Sequence, residues 1–264
     1  MTLNLLRLLM AVFFLAAGVW LISGSPVPVT TPSNWFWLAL SGVVGLSVGD
    51  VLYFNSLKTM GPRLTLMLLS LAPPISAVGG WLLLSETLGI LAVFGMAVTL
   101  FGVVWVITER KDKGAEARRG VTRKGVVFGA GAAFCQATGL VLSKMGLEGL
   151  DPVSGTLIRM VAATLVFAAL FAFMGRWRTL RTAGRDGKGL LLALGGAFFG
   201  PFLGVTLSLV AVKHTETGVA MTILATTPVT ILPFAALVYK EKLSIRAVAG
   251  AVVAVAGVCI LFLR

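Results

Sequence analysis

Long apolar runs, separated by short polar connections, dominate the chain and predict helices that cross a membrane. A transmembrane helix needs about 20 mostly apolar residues. Nine runs reach that length, at residues 3–23, 36–57, 63–84, 87–107, 124–144, 153–174, 189–211, 216–238 and 243–263. Only two connections are long and polar, at residues 108–123 and 175–188. The pattern therefore predicts an all-α integral membrane protein, built as a bundle of nine transmembrane helices.

Glycine, proline and charged residues recur along the chain at a fixed offset of 155 residues. The matching pairs are Gly45 and Gly200, Gly49 and Gly204, Lys58 and Lys213, Pro73 and Pro228, Glu86 and Glu241, Gly95 and Gly250, and Gly102 and Gly257. Such self-similarity indicates a duplicated unit, and inverted repeats are typical of secondary transporters. We predict a first repeat at residues 1–108, a basic cytoplasmic linker at 109–123 and a second repeat at 124–264.

The two predicted repeats differ by one helix. Residues 3–23 match residues 153–174 at an offset of 152, which favours a retained helix over a signal peptide at the amino terminus. The run at 124–144 then has no partner, so the first repeat lacks its first helix and the arrangement is four plus five. A late gene start, a truncation or a real absence would each explain this. With that helix counted, each repeat has an odd number of helices, which inverts the second copy.

Composition and charge support a membrane location. The chain has 264 residues, of which 58% are hydrophobic and 12% charged, whereas a soluble domain has about 25% charged residues. The net charge of +12 would suit nucleic-acid binding, but the basic residues lie mainly in the connections, so no nucleic-acid partner is expected. Lys and Arg divide 18 to 4 between the two sides. The positive-inside rule then predicts an inner-membrane protein with the connections at 108–123 and 175–188 in the cytoplasm.

Several of the repeated residues form a pattern known from one family. The first copy reads Gly49 to Lys58, then Pro73-Pro74, Glu86-Thr87-Leu88, Gly95 and Gly102; the second reads Pro228, Glu241-Lys242-Leu243, Gly250 and Gly257. This pattern resembles the EamA domain of the drug/metabolite transporter superfamily, present twice. The resemblance implies ten helices in two inverted five-helix repeats, a central cavity, and export or exchange of small metabolites. The chain departs from it by lacking the first helix and by a loop charge that places its carboxyl end outside.

Asp50 is the only acidic residue well inside an apolar run. An ionised side chain at the bilayer centre costs at least about 2.5–3.5 kcal/mol on insertion scales, so such groups usually face a cavity or a partner. Its repeat mate is Val205, so the fold itself does not require an acid here. Two interpretations stay open. Asp50 is a site for proton coupling or for a substrate amine, or it makes a structural hydrogen bond to Tyr53 or Asn55 in the next turn.

Other polar side chains within the runs are further candidates for substrate binding or coupling, alongside Tyr53 and Asn55. They are Ser70, Gln136, Thr138, Thr222 and Thr226. Ser70 and Thr226 precede Pro73 and Pro228, the two residues predicted to kink their helices. Kinked helices at matching positions of two halves indicate a binding site near the bilayer midplane. The alternative is that these polar groups hydrogen bond their own or neighbouring helices.

Two pairs of charged repeat mates lie near the ends of predicted helices. Arg7 and Arg159 lie near the ends of their predicted helices, where they would extend to the membrane interface or bind a substrate carboxylate. Glu86 and Glu241 precede the last helix of each repeat, and we expect each to cap that helix.

The sequence contains no arrangement typical of an enzyme, and we expect no catalysis, cofactor or metal. A Cys or His cluster and a phosphate-binding Gly-Lys-Ser/Thr are absent from it, and its one Gly-x-Ser-x-Gly spacing, Gly45 to Gly49, lies inside an apolar run. The predicted function is secondary transport of a small metabolite, an amino acid or an amphipathic compound, out across the cytoplasmic membrane by alternating access. Asp50 is the candidate for proton coupling. The alternatives are a flippase for a lipid-linked substrate and a non-transporting partner protein. The expected partners are a small-molecule substrate and membrane lipid, with the chain a monomer or homodimer.

Overall fold

The protein is helical throughout the residues that the structure describes. This computed structural model describes residues 2–109, 121–173, 187–230 and 244–263. The helices are α1 (Thr2–Ser23), α2 (Pro32–Ser41), α3 (Gly49–Met60), α4 (Pro62–Leu69), α5 (Ala72–Leu84), α6 (Ile90–Glu109), α7 (Arg123–Gly146), α8 (Pro152–Phe173), α9 (Gly187–Ala197), α10 (Val205–His214), α11 (Thr217–Leu224) and α12 (Ile245–Phe262). The prediction of an all-helical bundle is confirmed.

Seven helical segments among the described residues are long and apolar enough to cross a membrane. They are Leu5–Ser23, Pro32–Leu69, Ile90–Glu109, Arg123–Gly146, Pro152–Phe173, Gly189–His214 and Ile245–Phe262. Each of the nine predicted runs is helical over most of its described residues. The remaining two runs, 63–84 and 216–238, contain helices that are interrupted.

The two interruptions occupy equivalent positions in the repeats. The first separates α4 from α5 at Ser70 and Leu71, and the second follows α11 at Ala225 and Thr226. These positions differ by 155 residues, which is the offset of the repeats. In each copy a proline follows within three residues, and proline lacks the N–H group that would continue the hydrogen-bond ladder. Residues 227–230 resume the helix after the second interruption.

Two seven-residue π-helical segments also match between the repeats. The first π segment, Gly42–Val48, joins α2 to α3, and the second π segment, Phe198–Gly204, joins α9 to α10. They are offset by 156 residues, one more than the repeat itself. π-helical turns are uncommon and are often found at functional sites. Their recurrence at matching positions makes this helix a candidate functional region in each repeat.

The described chain divides into two compact units. The first unit comprises residues 1–48 and 139–214, and the second comprises residues 49–138 and 215–264. Each unit draws helices from both predicted repeats. In the first unit, buried side chains of α2, α8 and α10 form one core, and these include Leu38, Ile158 and Leu209.

In the second unit, α6 and α12 pack closely along glycines. A side chain at Gly102 would meet the Ala254 Cα at 2.7 Å, and one at Gly257 would meet the Thr99 Cα at 2.8 Å. Glycines seven residues apart lie on one helix face, so this spacing lets the two backbones approach each other. Thr99 is fully buried at this contact.

Candidate functional site

The eight candidate residues that the sequence indicates all belong to the second unit. Asp50, Tyr53 and Asn55 lie on α3, Ser70 lies at the first interruption, Gln136 and Thr138 lie on α7, Thr222 lies on α11, and Thr226 lies at the second interruption. Thr222 is fully buried and the other seven are half-buried. They therefore share one compact body, although they come from both repeats.

Asp50 is placed in the first turn of α3, two residues after the first π segment. It acts electrostatically on the Tyr53 hydroxyl, three residues along the same helix, and it has further interactions with the protein. Residues three apart face the same side of a helix. Asp50 and Tyr53 thus place a carboxyl group and a hydroxyl group on one face of α3.

The hydroxyl groups at the two interruptions donate to backbone carbonyls of the helical turn before them. Ser70 Oγ donates to Leu66 O at 3.2 Å, and Thr226 Oγ1 donates to Ile223 O at 2.6 Å. Thr222 Oγ1 donates to Gly218 O at 2.8 Å. A hydroxyl has one donor and two acceptor lone pairs. Toward a ligand, these groups are therefore acceptors, suited to an ammonium or hydroxyl donor.

The backbone also tightens at both interruptions. Leu71 N donates to Leu68 O at 3.1 Å, and Thr226 N donates to Ile223 O at 3.1 Å. These are three-residue bonds, typical of a helix end. Neither helix continues in register through its interruption, and each interruption lies inside an apolar run.

Glu86 binds a helix of the other repeat, and this cross-repeat contact is not indicated by sequence spacing. Its Oε2 accepts from Thr217 N at 2.9 Å and from Thr217 Oγ1 at 2.8 Å. The expectation that Glu86 caps its own following helix is wrong, because α6 begins only at Ile90. The first N–H groups of α11 need acceptors, and a carboxylate is favoured at that positive helix end. Glu241, its repeat mate, lies outside the described residues.

The two arginine repeat mates lie within helices of the first unit, on α1 and α8. Arg7 Nη2 donates to Gly196 O at 3.1 Å, just before the second π segment. Arg159 is the eighth residue of α8 and only 4% exposed. The expectation that Arg159 extends to the interface is wrong, because its guanidinium is enclosed by protein. Sequence position alone missed this, since the side chain's burial depends on α8 packing against the first π segment.

No group of His, Cys, Asp and Glu among the described residues is arranged to hold a metal ion. The polar side chains of the second unit instead offer hydroxyl, amide and carboxylate groups. Such groups suit binding of a polar organic molecule.

Comparisons with known proteins identify the fold and the family. A solved crystal structure of another protein superimposes with a TM-score of 0.75 at 16% sequence identity, covering 99% of this chain and 88% of that one. No curated protein sequence matches the chain. The model of the EamA-like transporter family matches residues 1–108 and again residues 123–263. The chain is therefore a multi-pass membrane protein with two EamA repeats, and it belongs to the EamA-like transporter family of the drug/metabolite transporter superfamily.

Proposed function

We propose that this protein is a secondary transporter that moves a small metabolite across the cytoplasmic membrane by alternating access. The observation that carries the proposal is the pairing of irregular backbone between the repeats. Each repeat has one helix interrupted near its middle and one helix with a π segment. Irregular backbone at membrane depth is tolerated where protein buries it or where it lines a water-filled cavity. Its symmetric placement supports a binding site formed by both repeats.

The polar groups of the second unit favour a substrate with hydrogen-bond donors. Ser70 and Thr226 offer acceptor lone pairs, and Asp50 offers a carboxylate. An amino acid or an amphipathic amine carries the matching ammonium group. Gln136 and Thr138 on α7 add an amide and a hydroxyl in the same unit. This combination is the basis for proposing export of an amino acid or an amphipathic compound.

Asp50 is the proposed proton-coupling residue. A carboxyl group that binds and releases a proton during the cycle would link substrate movement to the proton gradient. Aspartate is the residue type expected for such relays inside membranes. Tyr53, which faces Asp50 on the same helix, would hydrogen bond the carboxyl group in both protonation states.

Transport by purified protein in proteoliposomes tests this function. We expect uptake of a radiolabelled amino acid or of ethidium to be driven by an imposed pH difference. Asp50→Asn should abolish the pH-driven component and retain exchange, while Asp50→Glu should restore part of it. Glu148→Gln is the matched control, because Glu148 is an exposed acid between α7 and α8. Unchanged pH dependence in Asp50→Asn would rule out the coupling role, and no transport of any probe would rule out the function.

The proposed orientation places the basic connections at 108–123 and 175–188 in the cytoplasm. Its support is the 18-to-4 division of Lys and Arg between the two sides. Under this orientation, the loop that carries Glu148 and Asp151 faces outward.

A further inference from the structure

The guanidinium of Arg159 is a buried cation that the described protein leaves partly without hydrogen bonds. Arg159 is 4% exposed, and its Nε and Nη1 have no hydrogen-bond partner. Within the described part of the first unit, the carboxylate residues are Glu148 and Asp151, which lie in the connection before α8. Asp151 Oδ1 accepts from Ser154 N at 2.8 Å. Both acids thus lie about two or more helical turns before Arg159 along the chain.

A buried guanidinium with unbonded N–H donors is energetically unusual. Arginine remains charged in proteins and carries five N–H donors in a planar fork. A buried charge without compensation is strongly destabilising, so buried charges are normally paired. The guanidinium fork matches the two oxygens of a carboxylate or phosphate, which bind it through two parallel hydrogen bonds.

The repeat mate shows that the fold has another way to satisfy this residue. Arg7 donates to Gly196 O before the second π segment. The carbonyl equivalent to Gly196 O in the first repeat belongs to Ser41, at the end of α2. The Nε and Nη1 of Arg159 make no bond to it. Both arginines leave Nε without a hydrogen-bond partner, but Arg7 bonds a carbonyl through Nη2, whereas Arg159 leaves Nη1 unbonded as well.

The backbone around Arg159 is held in place. A side chain at Gly42, the first residue of the first π segment, would meet the Arg159 Cα at 3.0 Å. Ser47 Oγ, at the other end of that segment, lies 3.5 Å from Ala163 O, one turn further along α8. The first π segment and α8 are thus in contact at Arg159 and again one turn after it. The guanidinium is supported by a fixed backbone, as a binding group requires.

We propose that Arg159 binds an oxoanion group, a carboxylate or a phosphate, inside the first unit. This inference rests on the proposed function and deepens it. The transported compound is anionic or zwitterionic, and Arg159 binds its negatively charged group. Two sources share this chemistry, a water-soluble metabolite and the phosphate of a lipid. The two sources are separated by the experiment.

Thermal unfolding of the purified full chain in detergent tests the proposal. The soluble probes are the protein amino acids, their amides, sodium succinate and sodium phosphate; the lipid probe is phosphatidylglycerol nanodiscs compared with phosphatidylcholine nanodiscs. A ligand that binds the folded state raises the unfolding temperature. We expect one oxoanion probe to stabilise the protein and the amides to have no effect. Arg159→Gln should weaken the apparent affinity about 10- to 100-fold, the range for a charged hydrogen bond.

Two further variants distinguish a loss of ligand binding from a purely structural effect of replacing Arg159. Arg159→Lys keeps the charge without the fork and should recover part of the affinity. Arg159→Met removes the uncompensated charge and should raise the unfolding temperature in the absence of probes. Arg246→Gln, at an exposed arginine of α12, is the matched control and should bind as the wild type does.

The outcomes decide the proposal and its ligand source separately. Stabilisation by amino acids or succinate that Arg159→Gln loses supports a metabolite, and stabilisation only in phosphatidylglycerol supports a lipid. Equal stabilisation of wild type and Arg159→Gln, or no effect of any probe together with a less stable Arg159→Met, overturns the proposal. Ethidium carries no oxoanion, so ethidium transport by both wild type and Arg159→Gln would support the transport function even where the oxoanion probes overturn the anion site.

Discussion

The close contact between α6 and α12 makes Gly102→Ala the most quantitative prediction for this fold. A methyl group at Gly102 would lie 2.7 Å from both Ala254 Cα and Gly250 O. Both are backbone atoms, so no side-chain rotation relieves the overlap and the helices must separate. Overpacking of this kind costs about 1–3 kcal/mol. For a chain of this size that corresponds to a fall of roughly 2–12 °C in the unfolding temperature.

Thermal unfolding in detergent, followed by loss of helical circular dichroism, measures this effect. Gly195→Ala is the matched control, because Gly195 lies within α9 and a side chain there meets nothing within 4 Å. Replacing a helix glycine by alanine where the added methyl group meets open space should be neutral or stabilise by up to about 1 kcal/mol. If Gly102→Ala unfolds at the same temperature as Gly195→Ala, the two backbones do not meet as described.

Three other substitutions test individual contacts by the same measurement. Glu86→Ala removes both hydrogen bonds to Thr217 and should destabilise by about 1.5–3 kcal/mol, with Glu86→Gln intermediate; an unchanged temperature would refute the cross-repeat cap. Ser85→Gly should stabilise by up to about 1 kcal/mol, because Ser85 has a φ of 54°, which glycine adopts without strain; destabilisation would contradict that backbone. Arg7→Met should lower stability by about 1 kcal/mol through loss of the bond to Gly196 O, opposite in sign to Arg159→Met.

The apolar runs and the repeat offset predict much of this fold. Span length follows from bilayer thickness, so residues such as 90–109 and 152–173 are recognisable from hydropathy alone. Pro73 and Pro228 also point to the level of the two interruptions, because proline affects the backbone locally. These features depend on nearby residues, which sequence patterns record directly.

Features that depend on contact between distant segments are not predicted. The π segments contain residues that weaken a regular helix, such as Gly45 and Pro201, but these residues do not by themselves specify π geometry. The partner of Glu86 lies 131 residues away in sequence, and the burial of Arg159 depends on the several helices that pack around α8. For the candidate site, the sequence identified polar residues in spans and left open whether they bind a ligand or their own helices; hydroxyls such as Ser70 donate to their own helix.

The relative orientation of the two repeats in the membrane is the central claim, and cysteine labelling tests it most directly. In a background with Cys135 and Cys259 replaced by alanine, single cysteines at Ser25, Thr122, Glu148 and Ser244 would be exposed to a membrane-impermeant maleimide in intact cells. Ser25 follows α1 and Glu148 precedes α8, so inverted repeats place both on the outer side. The account predicts labelling of Ser25→Cys and Glu148→Cys in intact cells, and of Thr122→Cys and Ser244→Cys only after permeabilisation. Labelling of Ser25→Cys and Glu148→Cys from opposite sides would contradict it.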